Sequence, residues 1–473
     1  MERESSKLFR NNRIYTILLS LLLVGFIVFD LSYTFRQFYL TPIDGDMAGG
    51  VVPAEDVKPI LEHPLGLAVI HAEEAYPNPN KFFSHWTFYH YFNHVPNWLQ
   101  HFVSPLDSVY LACAIAKILM QILLLWLMAV AVTGFLNPFR LHNLIVIALF
   151  STLFQTYGYH SYMGIIDPAI TYSFFYALPI IFLAIYLIPY WLCVRHGKSV
   201  SRIFSFLWLL WIPLATLSGP LNPGIALIII LLLGVHLLFH HQRSSTYQLI
   251  TFVPLALASV YSLFIGTFNS ISQAPELDLW SRYAVLPKGL FTLLTGKLSW
   301  LLIILTLVIN SILVCKWIPS AWKQIKRELW WVLAFSLIYI LLLPFGGYRD
   351  YRPYILRYDT FLPVTLCFIY LVISTSLRLL TYIKGKKFFI PLAYLLLFAF
   401  AFENADNMNF TTNSAERNAI ATIATSPQPV VPIPSDCKLA SWYIISQPED
   451  SKLICDMFVR FNVFSPDKRF YNQ

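Results

Sequence analysis

Two aspartates, Asp44 and Asp46, lie in the glycine-rich segment TPIDGDMAGG, shortly after the first long apolar run of this 473-residue chain. Ionisable side chains at the mouth of a membrane helix are costly to desolvate and usually serve a function. The neighbouring glycines let the backbone turn around the two carboxylates. The pair is therefore a candidate active site, although an Asp-Gly step is also a common turn and the segment could be only a hinge.

A cationic counterpart occurs late in the chain, where arginines and tyrosines alternate in the segment GGYRDYRPYILRYD. Arginine presents a planar fork of donors that suits phosphate, so this composition indicates an anion-binding site. The alternative is that these arginines reach lipid headgroups and pair with nearby aspartates. The candidate polar residues outside the aspartate pair are Arg349, Arg352, Arg357, Tyr358, Arg282, Lys288, Asp167 and His160.

Six of the twelve histidines fall between the first two apolar runs, among them His63, His90 and His94. His90 and His94 are four residues apart, so on a helix both imidazoles could contact one divalent metal ion. No third ligand lies at a defining distance in the sequence. The competing interpretation is that these histidines are amphipathic side chains at an aromatic membrane interface.

The composition explains why these residues need a membrane scaffold. The chain is 57% hydrophobic, 16% aromatic and only 12% charged, with a mean hydropathy of +0.60. Crossing a hydrocarbon core of ~30 Å takes about 20 apolar residues, and about eleven runs approach this length. We therefore predict an all-α polytopic membrane protein, with spans near 14–35, 108–134, 142–157, 169–194, 203–218, 224–241, 247–266, 297–315, 329–344, 360–378 and 388–402.

Lysines and arginines in short loops are retained on the cytoplasmic side, which orients the predicted bundle. With the N-terminus inside, basic residues fall in almost every cytoplasmic segment, for example Arg195, Lys198 and Arg378. The opposite side receives segments 36–105, 158–168, 219–223, 267–296, 345–359 and the tail from residue 403. All the candidate site residues named above then lie on the outer side.

Two outer segments are long enough to fold. The 36–105 loop carries apolar and aromatic spacing typical of helices that lie along a membrane surface. The tail, 403–473, is predicted to be a small mixed α/β or loop-rich appendage to a 1–402 membrane module. In the tail, KLASWYII and KLICDMFVRFNVF are rich in strand-forming residues. Cys437 and Cys455 could form a disulfide in an oxidising compartment, or remain thiols.

The net charge of +8 is explained by cytoplasmic loops and anionic lipid headgroups rather than by nucleic acid, which is not an expected partner. The sequence contains no Gly-rich nucleotide loop and no Walker motif. No nucleotide cofactor is therefore expected, and an ATP-driven pump is disfavoured.

The layout resembles the GT-C superfamily of polytopic glycosyltransferases, which includes protein O-mannosyltransferases and lipid A aminoarabinose transferases. Asp44 or Asp46 matches an acidic residue just past the first helix, and Asp167 matches a second acidic external loop. RYDTFLPVTL, from Arg357, is similar to the entry of a late helix in many members. The aromatic stretch NKFFSHWTFYHYFNHVPNWLQHF and the following SPLDSVYLACAIAK also look like family features, and His63-Pro64 is a reduced form of a His-Pro-Pro signature.

The resemblance implies transfer of a sugar from a polyprenyl-phosphate donor in the bilayer to a glycan, lipid or protein acceptor, at the outer face of a bacterial inner membrane. It implies that Asp44 acts as a general base, while Asp46 orients it or helps to bind a divalent metal ion. The cationic set with Tyr358 would bind the donor phosphate, and Asp167, His160 and His63 would serve the acceptor or second acidic site. The alternatives are a transporter or flippase, or a ligase or polymerase, of lipid-linked glycans, and a non-catalytic scaffold.

Overall fold

The computed structural model describes residues 13–55, 57–71, 75–156, 161–199, 201–241, 245–270, 277–346, 354–405 and 412–473. Its helices up to the middle of the chain are α1 (Arg13–Tyr39), α2 (Met47–Val51), α3 (Lys58–Glu62), α4 (Ala68–His71), α5 (Phe82–Leu99), α6 (Pro105–Thr133), α7 (Leu141–Ser151), α8 (Ile170–His196) and α9 (Ile203–Thr216). The later helices are α10 (Leu221–Phe239), α11 (Thr246–Gly266), α12 (Leu279–Thr295), α13 (Leu298–Trp317), α14 (Pro319–Gly346), α15 (Tyr358–Tyr382), α16 (Gly385–Glu403), α17 (Ser414–Thr425) and α18 (Lys452–Arg460).

Within these ranges, nine helices are long and apolar enough to cross a membrane: α1, α6, α8, α10, α11, α13, α14, α15 and α16. The prediction of an all-α polytopic membrane protein is confirmed, but the count of about eleven spans is not. The remaining two predicted runs are helices too, but α7 and α9 are short. A 3₁₀ turn at Leu209–Trp211 interrupts α9. Helices α6 and α15 are the most deeply buried of the nine, whereas the most apolar stretch of α1 has the smallest share of buried residues.

Segments predicted to share the outer side contact one another at one end of the bundle, which we call the Asp44 end. Asn78 N–H donates to Asn269 Oδ1 at 2.9 Å, and Phe83 N–H donates to the carbonyl of Leu217 at 3.1 Å. The Lys288 ammonium lies 5.1 Å from the Tyr354 ring centroid. The end of α9, the segment between α11 and α13 and the segment before α15 are therefore tied to one another or to the first long loop.

Basic groups collect at the opposite end, which we call the basic end. The buried Glu328 carboxylate pairs with Arg195 at 2.9 Å and with Arg378 at 3.6 Å. Lys198 donates a hydrogen bond to the carbonyl of Gly134. Arg195, Lys198 and Arg378 were predicted to lie on the same side of the membrane, and they lie at the same end of the bundle. This agrees with the retention of Lys and Arg on one side.

Helices fill the first long loop, as predicted, and α5 is the longest of them. Its buried face repeats at helical spacing and includes Phe88 and Phe92, both fully buried. Phe88 contacts Phe174 of α8, with ring centroids 5.1 Å apart. Helix α5 thus packs directly against the first turns of α8, where the candidate site lies.

The tail contains α17, α18 and two described strands, β1 (Val430–Ile433) and β2 (Arg469–Asn472). The strands pair in parallel, with Val431 opposite Phe470. The mixed α/β character of the tail agrees with the sequence, but its two predicted strand segments are wrong. KLICDMFVR forms α18, because Ile454, Cys455, Met457 and Phe458 bury one helical face. KLASWYII contains no strand.

The two tail cysteines are buried free thiols, so the disulfide alternative is not formed. Cys455 Sγ lies 3.7 Å from Ser451 Oγ, and Cys437 Sγ lies 3.9 Å from the carbonyl of Ala415. Each sulfur therefore packs within its own part of the tail as a small apolar group.

Arg417 fixes the tail to the membrane helices α1 and α6. Its guanidinium donates to Asp107 Oδ1 at 2.8 Å and lies 3.9 Å from the Tyr110 ring and 4.9 Å from the Tyr39 ring. Tyr39 O–H also donates to Asp107 Oδ1, at 2.6 Å. A charge-assisted hydrogen bond and two cation–π contacts thus act on one side chain.

Its neighbour Glu416 is buried and joins the tail to the loop that carries Asp44. The carboxylate accepts hydrogen bonds from Ile43 N–H at 3.0 Å, Tyr110 O–H at 2.7 Å and Ala440 N–H at 3.2 Å. Burial raises the pKa of Glu416 from its ordinary 4.5 to about 7, although these hydrogen bonds oppose the shift. The tail is therefore a packed part of the Asp44 end.

Glu416 makes stability depend on pH with a defined sign. Because its pKa is raised in the folded protein, its contribution is complete below about pH 4.5 and is lost as the pH rises to about 7. The free energy of unfolding should therefore fall between those values, by up to about 3 kcal/mol for a shift of this size. Thermal unfolding of the solubilised protein measures this, and Glu416→Gln should flatten the slope.

Glu449→Gln is the matched control, since Glu449 is an exposed glutamate of the same tail. It should keep the slope of the parent protein. A Glu416→Gln variant with an unchanged slope would show that Glu416 does not titrate with unfolding.

Candidate active site

Asp44 is buried, with 5% of its surface exposed, and it caps the N-terminus of α8 from a distant part of the chain. Its carboxylate accepts from Thr171 N–H at 3.0 Å, Thr171 Oγ1–H at 2.7 Å and Asp46 N–H at 3.0 Å. Free N–H groups and the helix dipole favour an anion at this position. Burial still raises the pKa of Asp44 above its ordinary value. Asp46 itself is exposed and precedes α2.

Asp167 lies just before the same helix end and is more accessible than Asp44. Its Oδ1 accepts from Ala169 N–H at 2.8 Å. Burial raises the pKa of Asp167 to about 6, and the Asp359 carboxylate adds to the shift, against the opposing effect of Lys117 and Arg357. A carboxylate that titrates close to neutral pH is suited to accept and release a proton.

Lys117, on α6, is fully buried and places a positive charge beside both aspartates. Its ammonium donates a hydrogen bond to the carbonyl of Pro168, which directly follows Asp167. A buried lysine needs polar partners, and here the Pro168 carbonyl accepts its hydrogen bond while the Asp44 and Asp167 carboxylates interact with it electrostatically. Lys117 therefore links the start of α8 to the most buried part of the bundle.

A π-helical turn, Ser173–Ala177, interrupts α8 directly after Thr171 and Tyr172. Such turns are rare and occur frequently at functional sites. Tyr172 directly precedes this turn and Tyr176 lies within it, and both contact Arg357, whose guanidinium carbon lies 5.1 Å and 5.9 Å from their ring centroids. The turn and the residue before it therefore present two aromatic rings to one cation.

Arg357 lies at the start of α15, half-buried, beside a carboxylate of its own helix. Its Nε donates to Asp359 Oδ1 at 3.1 Å, its Nη2 donates to Asp359 Oδ2, and Nη2 lies 3.5 Å from Tyr176 Oη. The following residue, Tyr358, packs so closely on Gly164 that an added Cβ would overlap the tyrosine side chain. Gly164 has a φ of +61°, which residues with a side chain rarely adopt. Glycine is therefore required here both for this backbone conformation and to leave room for Tyr358.

The tail contributes Trp442, which covers the Asp44 loop. Its ring stacks on Tyr172, with centroids 6.0 Å apart and an interplanar angle of 26°. A Cβ on Gly45 would come within 2.5 Å of the Trp442 backbone nitrogen and 2.6 Å of its ring. At the glycine between the two predicted aspartates, the tail therefore lies too close to leave room for a side chain.

Other sequence-predicted residues lie away from this cluster. Arg282 donates to the carbonyls of Leu277 at 2.8 Å and Pro344 at 3.0 Å, so it holds α12 in place. Lys288 is exposed on α12. His63 is exposed and faces the Tyr76 ring, 6.3 Å away. The described contacts of these three side chains involve none of Asp44, Asp167 and Arg357.

His90 and His94 do stack on α5, with ring centroids 5.8 Å apart. His94 Nδ1 is engaged with the carbonyl of His90 at 2.7 Å, which occupies one of its ring nitrogens. Among the described residues, no group of three or more His, Cys, Asp and Glu side chains is arranged to hold a metal ion. Arg349, Arg352 and His160 lie outside the described residues.

The sequence interpretation missed Thr171, Tyr172, Tyr176 and Trp442 as members of the cluster. The first three lie inside an apolar run that reads as an ordinary span, and no spacing rule marks a π-helical turn. Trp442 was hidden in KLASWYII, where its aromatic character predicted a strand. Its exposed fraction of 42%, unusual for tryptophan beside a packed core, is visible only in the structure.

Comparisons of the chain with protein-family models, with curated proteins and with solved structures found no match. The cluster itself therefore indicates the function: it combines two carboxylates, an arginine beside a third carboxylate, a buried lysine and the aromatic rings of Tyr172, Tyr176 and Trp442. This combination can accept a proton, stabilise a developing negative charge and bind an amphipathic ring.

Gly45→Ala tests the contact between the tail and the Asp44 loop. The new methyl group would overlap the Trp442 backbone, which cannot move without shifting the tail, so the variant should lose about 1–3 kcal/mol of stability. Thermal unfolding of the solubilised protein measures the loss. Gly49→Ala is the control, because a Cβ added at Gly49 would meet nothing within 4 Å and α2 tolerates alanine. Equal melting temperatures for both variants would contradict the close approach.

Proposed function

We propose that this protein is a membrane glycosyltransferase that moves a sugar from a polyprenyl-phosphate donor to a glycan, lipid or protein acceptor. One observation carries the proposal: Asp44, Asp167 and Arg357, from three separated parts of the chain, converge on the first turns of α8. The resemblance in layout to the GT-C superfamily supports the same activity. The proposed location is a bacterial inner membrane, with the N-terminus cytoplasmic and the Asp44 end and tail periplasmic.

In the proposed reaction, an acceptor hydroxyl oxygen forms a bond to the anomeric carbon of the donor sugar. Its proton passes to the Asp167 carboxylate. The bond between the anomeric carbon and the phosphate oxygen breaks, and its electron pair leaves on the polyprenyl phosphate. Arg357 stabilises that leaving group as its negative charge grows. The donor supplies its own activation, so no nucleotide enters the reaction.

The geometry favours Asp167 over Asp44 as the general base. Asp44 is buried and accepts three hydrogen bonds, two of which hold its loop against α8, so its carboxylate is already occupied by these donors. Asp167 is partly exposed, accepts one backbone hydrogen bond through Oδ1, and has a pKa of about 6. We therefore assign base catalysis to Asp167 and a positioning role to Asp44.

Arg357 serves phosphate binding through its position as well as its charge. It lies at the N-terminal end of the deeply buried α15, where backbone N–H groups add to an anion site. Asp359 holds the guanidinium in place and must share it with an incoming phosphate. Arg349 and Arg352 belong to the connection that leads into α15. They would add positive charge for the donor phosphate, which has to bind next to the negatively charged Asp359.

The second candidate function is a transporter or flippase of lipid-linked glycans, in which the same arginine binds a headgroup and no bond breaks. The π-helical turn in α8 favours it to the extent that transporters use interrupted helices at their binding sites. A transporter gives no role to Asp167, whose pKa is about 6 and whose carboxylate interacts electrostatically with Arg357. Release of sugar from the carrier separates the two functions.

Removing the proposed base or the phosphate ligand should abolish transfer. Purified protein in liposomes is supplied with radiolabelled polyprenyl-phosphate sugars and a cell-envelope extract as acceptor, and label leaving the carrier is counted. Asp167→Asn and Arg357→Ala should each lower the rate about a hundredfold or more, with the melting temperature retained.

Two variants serve as controls for loss of charge. Asp436→Asn changes an exposed tail aspartate, and Arg327→Ala changes an exposed arginine at the basic end; both should transfer sugar like the parent. Undiminished transfer by Asp167→Asn and Arg357→Ala would refute the site. Label that crosses the membrane while still bound to its carrier would identify a flippase.

The pH dependence of the rate identifies the base. Asp167 accepts a proton only when ionised, so the rate should rise as the pH passes through about 6 and level off above it. Asp167→Asn should lack this acidic limb. Asp44→Asn should lower the rate but keep the limb, because Asp44 positions the site. A parent rate that is flat across this range would exclude Asp167 as the base.

A further inference from the structure

We infer that Trp442, supplied by the tail, forms with Tyr172 an aromatic platform that binds the sugar ring of the lipid-linked donor. This inference rests on the proposed function and names the substrate part that the tail recognises. It makes the tail a component of the substrate site and makes Trp442 a specificity residue.

The platform is built by three chain segments that meet at one place. Trp442 rests on Gly45, next to Asp44, and its ring stacks on Tyr172, next to Thr171. Both neighbours are joined by the Asp44 hydrogen bonds, so the two aromatic rings are held by a shared support. Trp442 nevertheless keeps 42% of its residue surface exposed, so its contacts with Gly45 and Tyr172 do not enclose it.

Arg357 sets the direction in which a ligand would extend. Its guanidinium carbon lies 5.1 Å from the Tyr172 centroid, and the Trp442 centroid lies 6.0 Å from that of Tyr172. A sugar bonded directly to a phosphate on Arg357 is therefore within reach of these rings. Pyranoses have one face of C–H groups and a polar rim, which suits an aromatic surface flanked by carboxylates.

The same position suits the reaction. A sugar held on Tyr172 and Trp442 would have its anomeric carbon between the phosphate on Arg357 and the Asp167 carboxylate, which lies five residues before Tyr172 and interacts electrostatically with Arg357. An acceptor hydroxyl could then approach opposite the leaving phosphate. Stacking fixes ring orientation without consuming the polar groups that the reaction uses.

Binding experiments with the whole purified protein test the platform. The probes are farnesyl-phosphate hexoses, with glucose, mannose and galactose in separate titrations, and farnesyl phosphate without a sugar. The parent protein should bind at least one hexose conjugate more tightly than farnesyl phosphate. Trp442→Ala should weaken binding of that conjugate about tenfold and leave binding of farnesyl phosphate unchanged.

Two further variants make the result specific. Trp442→Phe should recover most of the binding, because it keeps an aromatic face. Tyr443→Ala should behave like the parent, because Tyr443 is the adjacent residue and is 76% exposed. Melting temperatures of all variants are measured in parallel, and the farnesyl phosphate titration shows that the remainder of the site is intact.

Failure of the platform is distinguishable from failure of the proposed function. If Arg357→Ala weakens both probes while Trp442→Ala binds the hexose conjugate like the parent, the platform is wrong and the donor site stands. If Trp442→Ala weakens both probes equally, Trp442 only supports the fold and the platform is again wrong. If the parent binds neither probe, the proposed donor itself is wrong.

Discussion

The hydrogen bonds of the Asp44 carboxylate to Thr171 are the contact on which the Asp44 end depends. They hold the connection between α1 and α2 against the first turn of α8. Breaking them would leave a buried carboxylate and a free helix N-terminus, and both are costly away from water. Tyr172, the π-helical turn and Asp167 all lie within a few residues of Thr171. This contact therefore couples their placement to the end of α1.

Charge balance is the second constraint on this end of the bundle. Asp44 and Asp167 both interact electrostatically with the buried Lys117, and Asp359 is paired with Arg357. Each negative group thus has a cation or a helix terminus close by, which limits the cost of burial. In the proposed reaction, a donor phosphate shares Arg357 with Asp359. The site is therefore organised before any ligand enters, with its guanidinium already oriented.

Much of the architecture was readable from the sequence, for identifiable reasons. Runs of apolar residues have to be helical in a bilayer, and all eleven predicted runs are helices. The length of α7 and α9 was not predictable, since hydropathy does not show where a helix ends. Asp44, Asp167 and Arg357 were predicted as a shared site because each follows or precedes a span on the same predicted side. Trp442 and Glu416 were missed, because their roles depend on how the tail packs.

In the tail, residue composition alone does not predict the secondary structure or the state of the cysteines. KLICDMFVR is rich in strand-forming residues, yet its apolar positions repeat at helical spacing, and burial of that face decided the outcome in α18. The sequence predicted that Cys437 and Cys455 lie on the outer side, where a disulfide could form. In the structure each thiol packs beside a different partner. Tertiary packing, rather than local preference, determined both results.

The hydrogen bond between Ile43 and Glu416 joins residues that are 373 positions apart in the chain. Ribosomes add about 5–20 residues each second, so Ile43 emerges tens of seconds before its partner is synthesised. Throughout that interval the loop beside Asp44 has no acceptor from the tail, and Gly45 has no tryptophan against it. Assembly of this end of the molecule is consequently a late event of biogenesis, and nascent chains halted before the tail would insert in the membrane without a closed site.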